Sequence, residues 1–280
     1  MAYKTILVHL DDSKSCKKRV QAALDLAARQ DAHVVGLYIA AEFAAPAYLM
    51  AQMPQDLLDR QEALRKEATD KALAAFDEAA RKAGVHAEPR SARAYADEVE
   101  DVLSLHGRYA DLVVLGQHDP DDDLSMGESA VEQAVLALGR PLLLVPYVGA
   151  AAGFGQRPLL LWDASREAAS AVDDALPLLQ AAKKVDILSV NPRHGIRGHG
   201  EEPGADIATV LARHGVKTEA RHVISKEISI ADTILSSASD LGSDLLVMGA
   251  YGHSRLRELV MGGVTRSVLQ HLAMPALMSH

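Results

Sequence analysis

Residues 245–265 read LLVMGAYGHSRLRELVMGGVT. The apolar run 245–248 is short enough for a buried strand. Glycines at 249, 252, 262 and 263 then bracket a basic segment, residues 253–257. A strand that empties into a glycine-rich loop and then meets a helix suits phosphate. Glycine lets the backbone approach an anion, and the helix N-terminus offers unpaired N–H groups. The same glycines also suit a plain turn and helix start. A strand with no polar alternation is buried on both faces, as in a parallel sheet covered by helices.

Outward from this stretch, the same pattern runs through the chain. Short apolar runs at 4–10, 33–39, 85–90, 112–116 and 141–146 alternate with helical patterns at 15–29, 55–83, 95–106 and 129–138. Ser13 or Asp12 suits the cap of the first helix, and Gly84 the end of the second. Residues 40–54 are irregular, with Phe43, Tyr48, Leu49, Met50 and Met53 as an apolar segment that serves as core, lid or partner surface. The linker GAAAGFGQ, 149–156, follows. Strands at 158–162, 185–190, 217–223, 245–249 and 276–278 then alternate with helices at 166–181, 205–214, 226–240 and 258–272. The fold class is α/β, two doubly wound parallel-sheet domains at residues 1–148 and 157–280. LVHLDDS at 7–13 matches LLWDASR at 160–166, and YADLVVLG at 109–116 matches GSDLLVMG at 242–249. The aspartates are 152 residues apart (163 minus 11) and the strand-ending glycines 133 (249 minus 116). The first half therefore carries 19 extra residues, expected within 40–60.

The chain has 280 residues, a formal net charge of −9 and one cysteine, Cys16. Two domains fit that length. The acidic balance argues against nucleic acid or an anionic membrane as partner. A single cysteine excludes an intrachain disulfide framework and suits the cytoplasm. No stretch reads as a signal peptide or a membrane span.

Each half resembles a universal stress protein domain, and the whole chain resembles the tandem form. The specific element is a nucleotide signature: a glycine, two residues, a glycine, nine residues, then a glycine followed by Ser or Thr. Gly249, Gly252 and Gly262 match, but Gly263 stands where the hydroxyl belongs, and Thr265 follows two residues later. The resemblance implies a five-stranded parallel sheet per half, of the adenine nucleotide alpha hydrolase-like group. It implies pairing of the last strands of the two halves within the chain, with a homodimer also open. It also implies a stress-response role with ATP or another adenine nucleotide as ligand, with or without Mg²⁺.

On that resemblance, Asp163 meets the adenosine end, with Asp11 as its first-half counterpart. Ser189 and Val190 wall the adenine, and Met248 packs on the other side of the ring. Gly249 and Gly252 allow the turn, and Gly262, Gly263 and Val264 present backbone N–H groups. Thr265 adds a hydroxyl, while His253, Arg255 and Arg257 bring positive charge. Gly263 costs one phosphate hydrogen bond, roughly 1–3 kcal/mol, so triphosphate binding is weakened or AMP and ADP are preferred. No catalytic base or nucleophile elbow is visible, so the chain is at most a slow ATPase. A nucleotide-free interaction or small-ligand adaptor is the rival reading.

In the first half, Gly116 is followed by Gln117-His118-Asp119, without the second glycine. Asp119, Asp121, Asp122, Asp123 and Glu128 would repel phosphate. This run lacks the glycine and distal glutamate of a calcium loop and reads as a solvated loop. The twelve histidines, His194 and His199 among them, form no metal-ligand spacing.

Overall fold

Ile6, Val8 and Leu10 project to one face of the first strand and Leu7 to the other, and all four are buried. That period of two with both faces apolar holds for the inner strands and fixes a sheet covered on both sides. A computed structural model describes residues 2–42, 52–95, 97–192, 202–251 and 263–280. In the first half the elements are β1 (Thr5–Leu10), α1 (Cys16–Gln30), β2 (His33–Ala41), α2 (Gln55–Ala83), β3 (Ala87–Ala94), α3 (Val99–Gly107), β4 (Leu112–Gly116), α4 (Glu128–Ala137) and β5 (Leu142–Val145). In the second they are β6 (Pro158–Leu161), α5 (Arg166–Ala181), β7 (Val185–Val190), α6 (Ala205–Arg213), β8 (Thr218–Val223), α7 (Ile230–Asp240), β9 (Leu245–Gly249), α8 (Gly263–Gln270) and β10 (Ala276–Ser279).

The strands form one ten-stranded sheet in the order β3-β2-β1-β4-β5-β10-β9-β6-β7-β8. Every pair within a half is parallel. The halves meet through β5 and β10, antiparallel, with Leu143 opposite Leu277. The expected internal pairing of the last strands is therefore present. Helices α1, α2, α5 and α6 cover one face through residues such as Leu24, Phe76, Leu178 and Leu211. Helices α3, α4, α7 and α8 cover the other through Leu103, Val135, Ile234 and Leu269. Among the described residues, no helix is long and apolar enough to cross a membrane.

Local chemistry accounts for most boundaries. Gly84 ends α2 at φ 67°, with its N–H on the Ala80 carbonyl. Ser229 caps α7 by accepting the Asp232 N–H at 3.0 Å, so the helix starts later than expected, after residue 229. Two further expectations are corrected. Ser15 is the N-cap of α1, without a side-chain cap bond, because the Ser13 hydroxyl is turned onto Asp11 at 2.5 Å. The extra length of the first half is the helix itself: α2 has 29 residues and its counterpart α6 has 9, a difference of 20. The segment 43–51, with Phe43, Tyr48, Leu49 and Met50, lies outside the described residues. The linker is tied down by Phe154, which is buried, with the Arg29 guanidinium 5.2 Å over its ring.

Candidate functional site

Strand order builds the crevice. β6 lies between β7 and β9, with Leu161 paired to Leu188 and Leu160 to Val247. Asp163, two residues beyond β6, and Gly249, the last residue of β9, flank one gap at the carboxyl edge. Asp163 is exposed. Its Oδ1 accepts the Ser165 N–H at 3.0 Å, in a turn that holds Ala164 at φ 60°. Ser165 then caps α5 by accepting the Ala168 N–H at 3.1 Å.

Gly249 serves a purpose other than the expected turn. A Cβ there would stand 2.5 Å from the Ala168 nitrogen and the Glu167 carbonyl carbon. Glycine lets the first turn of α5 press against the strand end. Val190 ends β7, half-buried, against the layer under α7 and α8. Met248 is buried in that same layer. Ser189 is not a wall for a ring: it is fully buried, and its hydroxyl donates to the Trp162 carbonyl at 2.8 Å.

Gly263 is the first described residue of α8 and is exposed, with none of the described residues within 4 Å of the place a Cβ would take. Val264 behind it is half-buried. Thr265 is buried, and its Oγ1 accepts the Tyr251 N–H at 3.4 Å. That hydroxyl ties α8 to Tyr251, two residues beyond β9. Tyr251 takes φ 57°, a left-handed backbone. Gly252, His253, Arg255, Arg257 and Gly262 lie outside the described residues, as do His194 and His199.

The equivalent place in the first half is filled. Arg19 projects from α1 and is buried, with its Nη2 2.9 Å from Asp11 Oδ1 and its Nε donating to the His9 carbonyl at 2.8 Å. Its guanidinium occupies the space a Cβ on Gly116 would need, between the ends of β1 and β4. Burial pushes the Asp11 carboxyl up. Arg19, His9 and hydrogen bonds from Ser13 and Arg19 outweigh that and hold it below its ordinary value. Burial, and then the Arg19 charge, bring His9 down to about 4 against an opposing pull from Asp11. The acidic loop is not wholly solvated as expected. Asp122 is buried, and its Oδ2 accepts the Lys14 N–H at 2.7 Å, which closes the loop over the β1–α1 turn.

Sequence reasoning missed Arg19, His9 and Gln117. Arg19 was findable, since it stands four residues before Ala23 on the apolar face of α1. Gln117 gave no such signal. It follows β4, is buried, and its Nε2 donates to the Leu269 and Gln270 carbonyls of α8 at 2.9 and 3.0 Å.

The family model described as the Universal stress protein family matches residues 2–146 and again residues 156–280. The chain belongs to the universal stress protein family. It is a tandem universal stress protein with the nucleotide alpha hydrolase-like fold in each half. A solved universal stress protein from Archaeoglobus fulgidus shares the fold with a TM-score of 0.71 at 13% identity, over 98% of this chain and 95% of that one. A functionally unknown protein from Pseudomonas aeruginosa does so at 0.59 and 16% identity, over 99% and 92%. A curated universal stress protein from Synechocystis is 38% identical over 68 residues. That match spans 24% of this chain and 23% of the relative's length.

Proposed function

We propose that this universal stress protein binds an adenine nucleotide, ATP, ADP or AMP, in its second half. The observation that carries the reading is the contrast between two equivalent aspartates. Asp11 is locked onto a buried arginine, whereas Asp163 is exposed beside Gly249. The residues present fit such a ligand. Asp163 would accept from the adenosine end. Gly263 and Val264, the first described residues of α8, would offer their N–H groups to phosphate. Val190 and Met248 would contribute apolar lining at the strand ends. By sequence, Gly252, His253 and Gly262 complete the loop. Thr265 would support that loop from beneath. The functional unit we propose is residues 157–280, with residues 1–148 as a non-binding partner, in the cytoplasm.

Among the described residues, no group of three or more His, Cys, Asp or Glu is placed to hold a metal. A Mg²⁺ would therefore ride on the phosphates. Hydrolysis would be slow, and the protein would act by holding nucleotide.

The test is identification of small molecules that co-purify with the protein, followed by calorimetric titration of ATP, ADP and AMP. Binding of at least one nucleotide, at one site per chain, is expected. No binding by the wild type sinks the reading. Binding that survives Gly252→Val combined with Gly262→Val moves the site elsewhere. One observation favours the adaptor reading in that event: Ile224 and Ile228 are exposed just beyond edge strand β8.

A further inference from the structure

Glu132 of α4 and Arg266 of α8 are the same position in the two halves. They are 134 residues apart (266 minus 132), as are Leu143 and Leu277 at the centre of the β5–β10 pairing (277 minus 143). They face each other near the pseudo-twofold axis, with Arg266 Nε 3.0 Å from Glu132 Oε1. The same Nε lies 3.3 Å from Glu128 Oε1, and Gln270 donates to that oxygen at 2.7 Å. Glu132 is fully buried. At the other end of α8, Gln117 holds the last carbonyls. Every one of these anchors comes from the half whose own crevice is filled.

We infer that the first half is a brace for α8, and that Glu132 is a positioning residue for the phosphate end of the second-half site. The inference rests on the nucleotide reading above. Arg266 lies in the first turns of α8, three residues after Gly263 and directly after Thr265, which ties the helix to Tyr251. A helix N-terminus binds phosphate only when its N–H groups are held in convergence. The two carboxylates and one amide across the junction hold α8 along its flank and at its end. Coupling of this kind is reciprocal: what steadies α8 for nucleotide also lets nucleotide steady the junction.

Simple electrostatics predicts the opposite sign. Glu128 and Glu132 against one Arg266 leave an excess negative charge near the phosphates, so removing one carboxylate would tighten binding. Glu132→Gln in the full chain separates the two. Two readouts are needed: hydrogen exchange of residues 263–270 without nucleotide, and ATP affinity by calorimetry. Faster exchange and an ATP dissociation constant raised about fivefold are expected. The double exchange of Glu132→Arg with Arg266→Glu should return both toward wild type. Unchanged exchange and affinity in Glu132→Gln, or tighter ATP binding, overturns the inference alone. Wild-type protein that binds none of ATP, ADP and AMP overturns the nucleotide reading, and the inference with it.

Discussion

Asp11 and Asp163 occupy equivalent turns after β1 and β6, and among the described residues an arginine pairs with the first and not the second. Arg19 lies 2.9 Å from Asp11 inside the first half, while Asp163 is exposed at the crevice of the second. Arg19→Ala should leave a half-buried carboxylate without its main partner. The expected loss is roughly 3–5 kcal/mol of stability, read as a shift of the denaturation midpoint in urea. A loss below about 1 kcal/mol would mean that the pair is not a keystone of that half.

Gly263→Ser tests the phosphate grip directly. Among the described residues nothing stands within 4 Å of the new Cβ, so the substitution should leave stability unchanged. A charge-assisted bond to phosphate contributes roughly 1.5–3 kcal/mol, so ATP should bind at least about tenfold more tightly. Equal ATP affinity in the two proteins would show that position 263 does not meet phosphate.

Gly249→Ala should fail for a reason unrelated to ligand. The added carbon meets the backbone of Glu167 and Ala168, which cannot swing aside as a side-chain tip can. A destabilisation of about 1–3 kcal/mol is expected, measured by thermal unfolding without nucleotide. A stable Gly249→Ala protein would argue that the glycine is kept for a ligand.

His9 gives the protein a pH signature. Its folded-state value of about 4 lies below the ordinary 6.5. Between those values the unfolded chain takes up a proton that the folded chain refuses. Stability is therefore fully present above pH 6.5 and falls as the pH drops toward 4, by on the order of 2–3 kcal/mol. Asp11 is depressed instead, so its contribution is lost in more acid solution, as its own folded value is crossed. His9→Gln should flatten the slope between pH 6.5 and 4 in a series of urea titrations. An unchanged slope would assign it to other groups.

Periodicity and glycine spacing made much of this fold legible in advance. α2, β4, α5, β7 and β9 begin and end where the pattern put them. The duplication and the parallel sheets were also readable, and the family resemblance implied the internal pairing of β5 with β10. Long-range side-chain partnerships were not. A local pattern shows that Thr265 has a hydroxyl, but not that Tyr251, fourteen residues earlier in sequence, takes it up. Nor does it show that Asp122 caps a turn 108 residues away. Nor does it show that the first turn of α5 presses on Gly249, because a glycine that admits a helix and one that admits a ligand look alike in sequence.

The antiparallel seam between β5 and β10 has a consequence for how the molecule behaves on dilution. Two separate one-domain chains joined by such a seam would part when scarce. Here both strands belong to one polypeptide, so each half meets the other at an effective concentration set by a short linker. The pairing of the two halves is therefore independent of the protein's concentration.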